Sequence, residues 1–213
     1  MMKFKDRVDA GQQLVATLEK YRGDKEAIVI GLPRGGVVTA FEVATALGLD
    51  LDIIVTRKIG APMQPELAVG ALSQDGGQKL DYDLMTRLGL SEADLEPIIA
   101  AEQKELARRL SLYRQNREPL SLEGSVAIIV DDGIATGATM LAAIDSARTM
   151  GAKKIVVAVP VCPPDSLRKI EKVADELVCL FTPELFFGIG GFYQEFGQTS
   201  DEQVIQLLQQ SWS

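Results

Sequence analysis

The chain has 213 residues, with 22 Lys and Arg against 30 Asp and Glu for a net charge of −8, 46% hydrophobic residues and no histidine. That length and balance predict one globular domain able to bury a core without disulfides or a structural metal, and two cysteines, Cys162 and Cys179, build no disulfide framework and point to a reducing compartment. The absent imidazole excludes Ser/His/Asp triads, His-ligated zinc and His general bases, and net acidity without a long Lys/Arg run argues against nucleic-acid binding.

In chain order, the amino terminus MMKFKDRVDAG lacks the apolar stretch of a signal peptide. No later segment approaches the roughly 18 continuous apolar residues of a membrane span, so a cytoplasmic protein with no membrane partner is expected. Asp6 to Arg22, with Val8, Leu14, Val15 and Leu18 among polar residues, predicts an amphipathic helix stopped by Gly23. Short runs rich in Val and Ile follow at Ala27–Leu32, Leu51–Thr56, Leu67–Leu72, Val126–Val130, Ile155–Val161 and Glu176–Phe181, all of strand length. Helical patterns at Val37–Leu47, Thr139–Met150 and Pro164–Ala174 separate most of them.

This alternation predicts βαβ units: an α/β fold with a single doubly wound, mostly parallel sheet and helices on both faces. Residues 1–213 then form one unit, with 74–122 inserted as a polar turn and a long helix. Leu95, Ile98, Ile99, Leu106, Leu110 and Tyr113 mark the apolar face of that helix, and Lys104, Arg108, Arg109, Arg114 and Arg117 its basic one. Residues 181–197, FTPELFFGIGGFYQEFG, concentrate aromatic rings among glycines and are the candidate for a small C-terminal hood. Asp201 to Gln209 closes the chain as a helix.

The segment Val126-Ala-Ile-Ile-Val-Asp-Asp-Gly-Ile-Ala-Thr-Gly-Ala-Thr139 carries the chemistry. An apolar strand runs into Asp131 and Asp132, then into a Gly/Thr turn that opens a helix. Ligands of open α/β sheets bind beyond the carboxyl ends of strands. Paired carboxylates there accept hydrogen bonds from hydroxyls, such as a ribose diol, and attract a hard cation. The following turn offers backbone N–H groups and the Thr136 and Thr139 hydroxyls to a phosphate. A second strand–turn–helix, Ala27-Ile-Val-Ile-Gly-Leu-Pro-Arg-Gly-Gly36, adds close backbone approach at Gly35 and Gly36 and the donor fork of Arg34. Arg57 and Lys58 bring further positive charge to the same sheet edge. Arg57 to Glu66, with Gly60, Pro62 and Pro65, reads either as a mobile loop over a leaving group or as a rigid surface turn.

The segment Val126–Thr139 resembles the phosphoribosyl diphosphate (PRPP) signature of type I phosphoribosyltransferases, and Leu32-Pro-Arg-Gly-Gly36 is similar to that family's pyrophosphate loop. The resemblance extends over about Ala27–Phe181. It implies a phosphoribosyl transfer with Mg²⁺ as cofactor, PRPP as one substrate and a nitrogenous acceptor as the other. Asp131 and Asp132 would then hold the ribose hydroxyls and, largely through PRPP, the Mg²⁺. Ala135, Thr136, Gly137, Ala138 and Thr139 would take the 5′-phosphate, and Pro33, Arg34, Gly35, Gly36, Arg57 and Lys58 the pyrophosphate. On that reading Asp131, Asp132, Arg34 and Lys58 would form the catalytic set.

In members acting on 6-oxopurines the position of Ala135 is commonly an aspartate base, so this pattern looks nearer to the adenine type. The acceptor would meet the hood, where Phe186, Phe187, Phe192 and Tyr193 either stack on a flat ring or fill a core gap or dimer contact. The competing reading is a PRPP- or nucleotide-binding regulator with little or no transfer. A homodimer is compatible with either reading.

Overall fold

The structure, a computed structural model, describes residues 4–212 apart from Asn116 and Pro119. The expected unit 1–213 therefore includes six positions, Met1–Lys3, Asn116, Pro119 and Ser213, that lie outside the described residues. Five strands, β1 (Ala27–Gly31), β2 (Asp50–Ile53), β6 (Val126–Val130), β7 (Lys154–Val161) and β8 (Glu176–Phe181), form a sheet in the order β2-β1-β6-β7-β8. All four pairings are parallel.

Both faces of this sheet are covered, which is why its strands read as unbroken apolar runs. On one face Val29, Leu51, Ile53, Ile128, Val130 and Val156 pack with α1 (Arg7–Leu18), α2 (Gly35–Leu47) and α7 (Asp201–Ser211). On the other, Ile30, Ala127, Ile129, Ile155, Val157 and Val159 pack with α5 (Ala138–Thr149) and α6 (Pro164–Ile170). Alternate residues of each strand serve alternate faces, as the pleat requires.

The run Leu67–Leu72 departs from the single expected sheet. It lies in β4 (Gln64–Ser73), which pairs antiparallel with β3 (Thr56–Ala61) and β5 (Gln78–Leu80) in a separate three-stranded sheet. The physical reason is connection length: the two residues Pro62 and Met63 between β3 and β4 permit only a hairpin, since a parallel crossover needs about a dozen. Arg57 to Glu66 is accordingly mostly strand, with a register shift on either side of Gly60. The inserted helix divides into α3 (Tyr82–Leu88) and α4 (Glu92–Arg114). Ile59, Val69 and Leu72 of the small sheet share a core with Leu95, Leu106 and Tyr113 of α4.

Helix boundaries follow local chemistry. Asp6 caps α1 by accepting from the Asp9 N–H, Asp81 caps α3 and Ser200 caps α7. Gly48 ends α2 in the left-handed conformation. By contrast α2 and α5 start without a side-chain cap, so their first N–H groups remain available to an anion.

Candidate active site

β6 ends at Val130, and Asp131 and Asp132 follow directly, beyond the carboxyl edge of the sheet. A cavity of about 160 Å³ opens there, bounded by the two acids, the loop Gly133–Thr139, Met140 and Ile189. The loop is pinned at both sides. The Ile134 N–H donates to the Val161 carbonyl at 2.8 Å, and the Ser166 hydroxyl donates to the Ala135 carbonyl at 2.5 Å. Gly137 sits at φ 86° as the residue that starts α5, a conformation that side chains resist. Ala135 and Thr136 are exposed and Thr139 is half-buried, so this turn faces the cavity with open surface.

The earlier loop lies against the same acids. A Cβ added to Gly36 would stand 2.6 Å from Asp131 Oδ1 and 2.9 Å from its Cα, and one added to Gly35 would overlap Asp132 Oδ2 and stand 2.7 Å from Arg7 Nε. The two glycines thus let their loop lie directly against the acidic pair, bringing together Gly35–Gly36 and Asp131–Asp132, which are far apart along the chain. Arg34 is partly exposed, its Nη1 3.9 Å from Asp201 Oδ1 at the start of α7.

The two remaining expected cations are placed differently. Arg57 and Lys58 are neighbours on β3, opposite Leu72 and Ala71, and consecutive strand residues face opposite sides. Arg57 turns toward α4, where its Nε meets Glu102 Oε2 at 2.5 Å.

Two further contacts reach Asp132, one from Arg7, which the sequence reading does not name, and one from Tyr193, which it offers only as a ring for the acceptor. Arg7, in the first turn of α1, donates from Nε to Asp132 Oδ2 at 2.6 Å and from Nη1 to the Gly197 carbonyl at 2.7 Å, and its guanidinium lies 3.9 Å from the Phe196 ring centre. The Tyr193 hydroxyl donates to the Asp132 carbonyl at 2.5 Å. Neither could be found from spacing, because Arg7 lies 125 residues from its partner and Tyr193 61. Burial raises the Asp131 carboxyl well above its ordinary range, and the adjacent Asp132 charge pushes the same way. Asp132 is also raised by burial, but the Arg7 guanidinium opposes the shift.

The aromatic segment divides into core and surface. Phe192 is 2% exposed and Tyr193 3%; Phe192 stacks on Phe186 with ring centres 5.6 Å apart, and Tyr193 packs on Phe4 at 5.4 Å. These two rings anchor the hood to the body, so stacking on an acceptor is closed to them. Phe186 is half-buried, and Phe187 is 95% exposed.

Residues 5–193 match the phosphoribosyl transferase domain family, a span that extends past the motif-bearing core to include both Arg7 and Tyr193. Two Mycobacterium tuberculosis proteins, from strains CDC 1551 and H37Rv and named as candidate phosphoribosyl transferases, are 48% identical over 208 residues. The match covers 98% of this chain and 47% of each relative, so the chain spans about half the length of these curated proteins. The crystal structure of TT1426 from Thermus thermophilus superposes with a TM-score of 0.82 at 38% identity, covering 98% of this chain and 99% of that one. A Neisseria gonorrhoeae protein solved with bound ppGpp has a TM-score of 0.50 at 12% identity over 99% of this chain and 98% of its own, and shows the fold alone. With its five-stranded parallel sheet, its acidic pair at the carboxyl end of β6 and a family match over most of its length, this chain belongs to the phosphoribosyl transferase domain family.

Proposed function

We propose that the chain transfers the ribose 5-phosphate group of PRPP to a nitrogenous acceptor and releases pyrophosphate. The observation that carries this reading is the packing of Gly35 and Gly36 directly on Asp131 and Asp132 beside the turn that opens α5. One cavity edge thereby offers carboxylates, an uncapped helix start and a glycine loop with Arg34, which are the groups a phosphorylated ribose with a second anionic end requires.

In the transfer, the bond from the anomeric carbon to the pyrophosphate oxygen breaks and a bond to the acceptor nitrogen forms. Positive charge grows on the ribose and negative charge on the leaving group. Asp131 and Asp132 hold the ribose hydroxyls and stabilise the first; Arg34, with Lys58, stabilises the second. Ala135–Thr139 hold the 5′-phosphate. With Ala135 in the loop and no histidine in the chain, this loop supplies no side-chain base, so the acceptor nitrogen should carry an available lone pair. Phe187 and Phe186 are the surfaces on which a flat acceptor would rest.

The donor set also fits Mg²⁺ in a particular way. Among the described residues no group of three or more His, Cys, Asp or Glu could hold a metal ion, so Asp131 and Asp132 would hold it only together with oxygens of PRPP and water. Bound there, the ion would neutralise pyrophosphate charge.

Titration calorimetry with PRPP, with and without Mg²⁺, tests the proposal on the wild type and the Asp131→Asn/Asp132→Asn variant. Mg²⁺-dependent binding that the double variant loses is expected, and no binding at millimolar PRPP would overturn the reading. A regulator that binds PRPP without transfer is the second reading, favoured by the engagement of Asp132 Oδ2 with Arg7. Acceptor-dependent pyrophosphate release across a panel of bases separates the two.

A further inference from the structure

We infer that Arg7 is a positioning residue for the ribose: it fixes the carboxylate plane of Asp132 so that the sugar hydroxyls are received in one orientation. The inference rests on the phosphoribosyl reading above and adds a residue that no sequence motif contains.

Five observations support it. The Arg7 side chain is largely buried, as is the Asp132 carboxylate it meets at 2.6 Å. Its second donor is held by the Gly197 carbonyl at 2.7 Å and its plane by the Phe196 ring at 3.9 Å, so the guanidinium is clamped by the hood as well as by the acid. Gly35 lies against the same ion pair, where a Cβ would stand 2.7 Å from Arg7 Nε and 3.0 Å from Nη2. Asp132 is meanwhile fixed at its backbone by the Tyr193 hydroxyl on its carbonyl. A carboxylate with its main chain and one oxygen both fixed retains one rotamer, and its remaining lone pairs point in set directions.

This arrangement also explains why a cation sits beside an acid expected to bind hydroxyls. A ribose then meets an oriented acceptor at no reorganisation cost. Pyrophosphate, which carries no hydroxyl for Asp132, should be indifferent to Arg7.

That contrast gives the test, which needs no turnover. Calorimetry is run with Mg²⁺ on wild type, Arg7→Met and Arg7→Lys, using ribose 5-phosphate, PRPP and pyrophosphate as separate probes. Met preserves most of the side-chain volume, and Lys restores the charge without the planar fork. Arg7→Met is expected to weaken ribose 5-phosphate and PRPP by about 10- to 100-fold while leaving pyrophosphate affinity within about twofold. Arg7→Lys should recover part of the loss. Wild-type affinities for all three probes in Arg7→Met would overturn the positioning role, as would an equal loss on all three, which marks a merely structural residue. If the wild type itself binds none of the probes, the phosphoribosyl reading fails and this inference falls with it.

Discussion

Gly36 has little room for substitution, because a new methyl group would meet not only Asp131 Oδ1 at 2.6 Å but also main-chain atoms of Asp131 and Val130 at 2.9 and 3.1 Å. Gly36→Ala must therefore displace either the acidic pair or the start of α2, and PRPP affinity should fall by about 100-fold or more. Calorimetry checks this, and unchanged affinity would show that the two loops do not share a ligand. The acids themselves make the complementary case. Asp132→Asn keeps the shape and removes the charge, so kcat/KM should fall by about 10²-fold, with steady-state pyrophosphate release as the readout. The acids and glycines were legible in the sequence because each lies in a short run whose pattern is local. Arg7 was not, since its role depends on a partner 125 residues away and on the carbonyl of Gly197.

At the scale of elements, the parallel sheet was legible because its strands are buried on both faces and are joined by helices of ordinary length. The small antiparallel sheet was not. Pro62, Pro65 and Gly60 look like loop punctuation, yet Pro65 lies within β4, and Gly60 lacks a side chain at the point where the Pro65 backbone presses on β3. The hood shows a similar limit: composition reveals its aromatic density, but only packing separates anchors from exposed rings. Phe192→Ala should destabilise the fold by about 3–5 kcal/mol, the usual cost of deleting a buried ring, and take the hood's order with it. Phe187→Ala should leave stability within about 0.5 kcal/mol and act only on acceptor KM. Denaturant unfolding and steady-state kinetics on the two variants distinguish these roles; a stability loss in Phe187→Ala would mean that the exposed ring is an anchor after all.

Across the whole molecule, the candidate site and a cluster of ion pairs around Glu176 occupy opposite edges of the parallel sheet. At the carboxyl edge both ends of the chain converge on the site: the Phe4 N–H donates to the Phe192 carbonyl and the Gln194 N–H to that of Phe4, each at 2.8 Å. At the amino edge Glu176, the first residue of β8, receives Lys20 at 2.7 Å, the Tyr21 hydroxyl at 2.7 Å and Lys154 at 3.0 Å. Burial alone would raise this carboxyl, but the three donors outweigh it and hold Glu176 at about 2. An unfolded glutamate titrates near about 4.3, so between these values the unfolded chain binds more protons and stability rises with pH. The contribution is thus complete above about pH 5 and is lost as pH falls toward 2. Glu176 is partly exposed, which screens the pair, so Glu176→Gln should cost about 1–2 kcal/mol at pH 7, a few degrees in Tm. Thermal unfolding of both proteins from pH 7 down to pH 3 should show the difference level to about pH 5 and narrowing below it. A gap that stays constant over that range would mean that Glu176 holds the edge by packing and neutral hydrogen bonds, not by its charge. Because the cluster touches none of the cavity residues, PRPP affinity at pH 7 should be the same in both proteins.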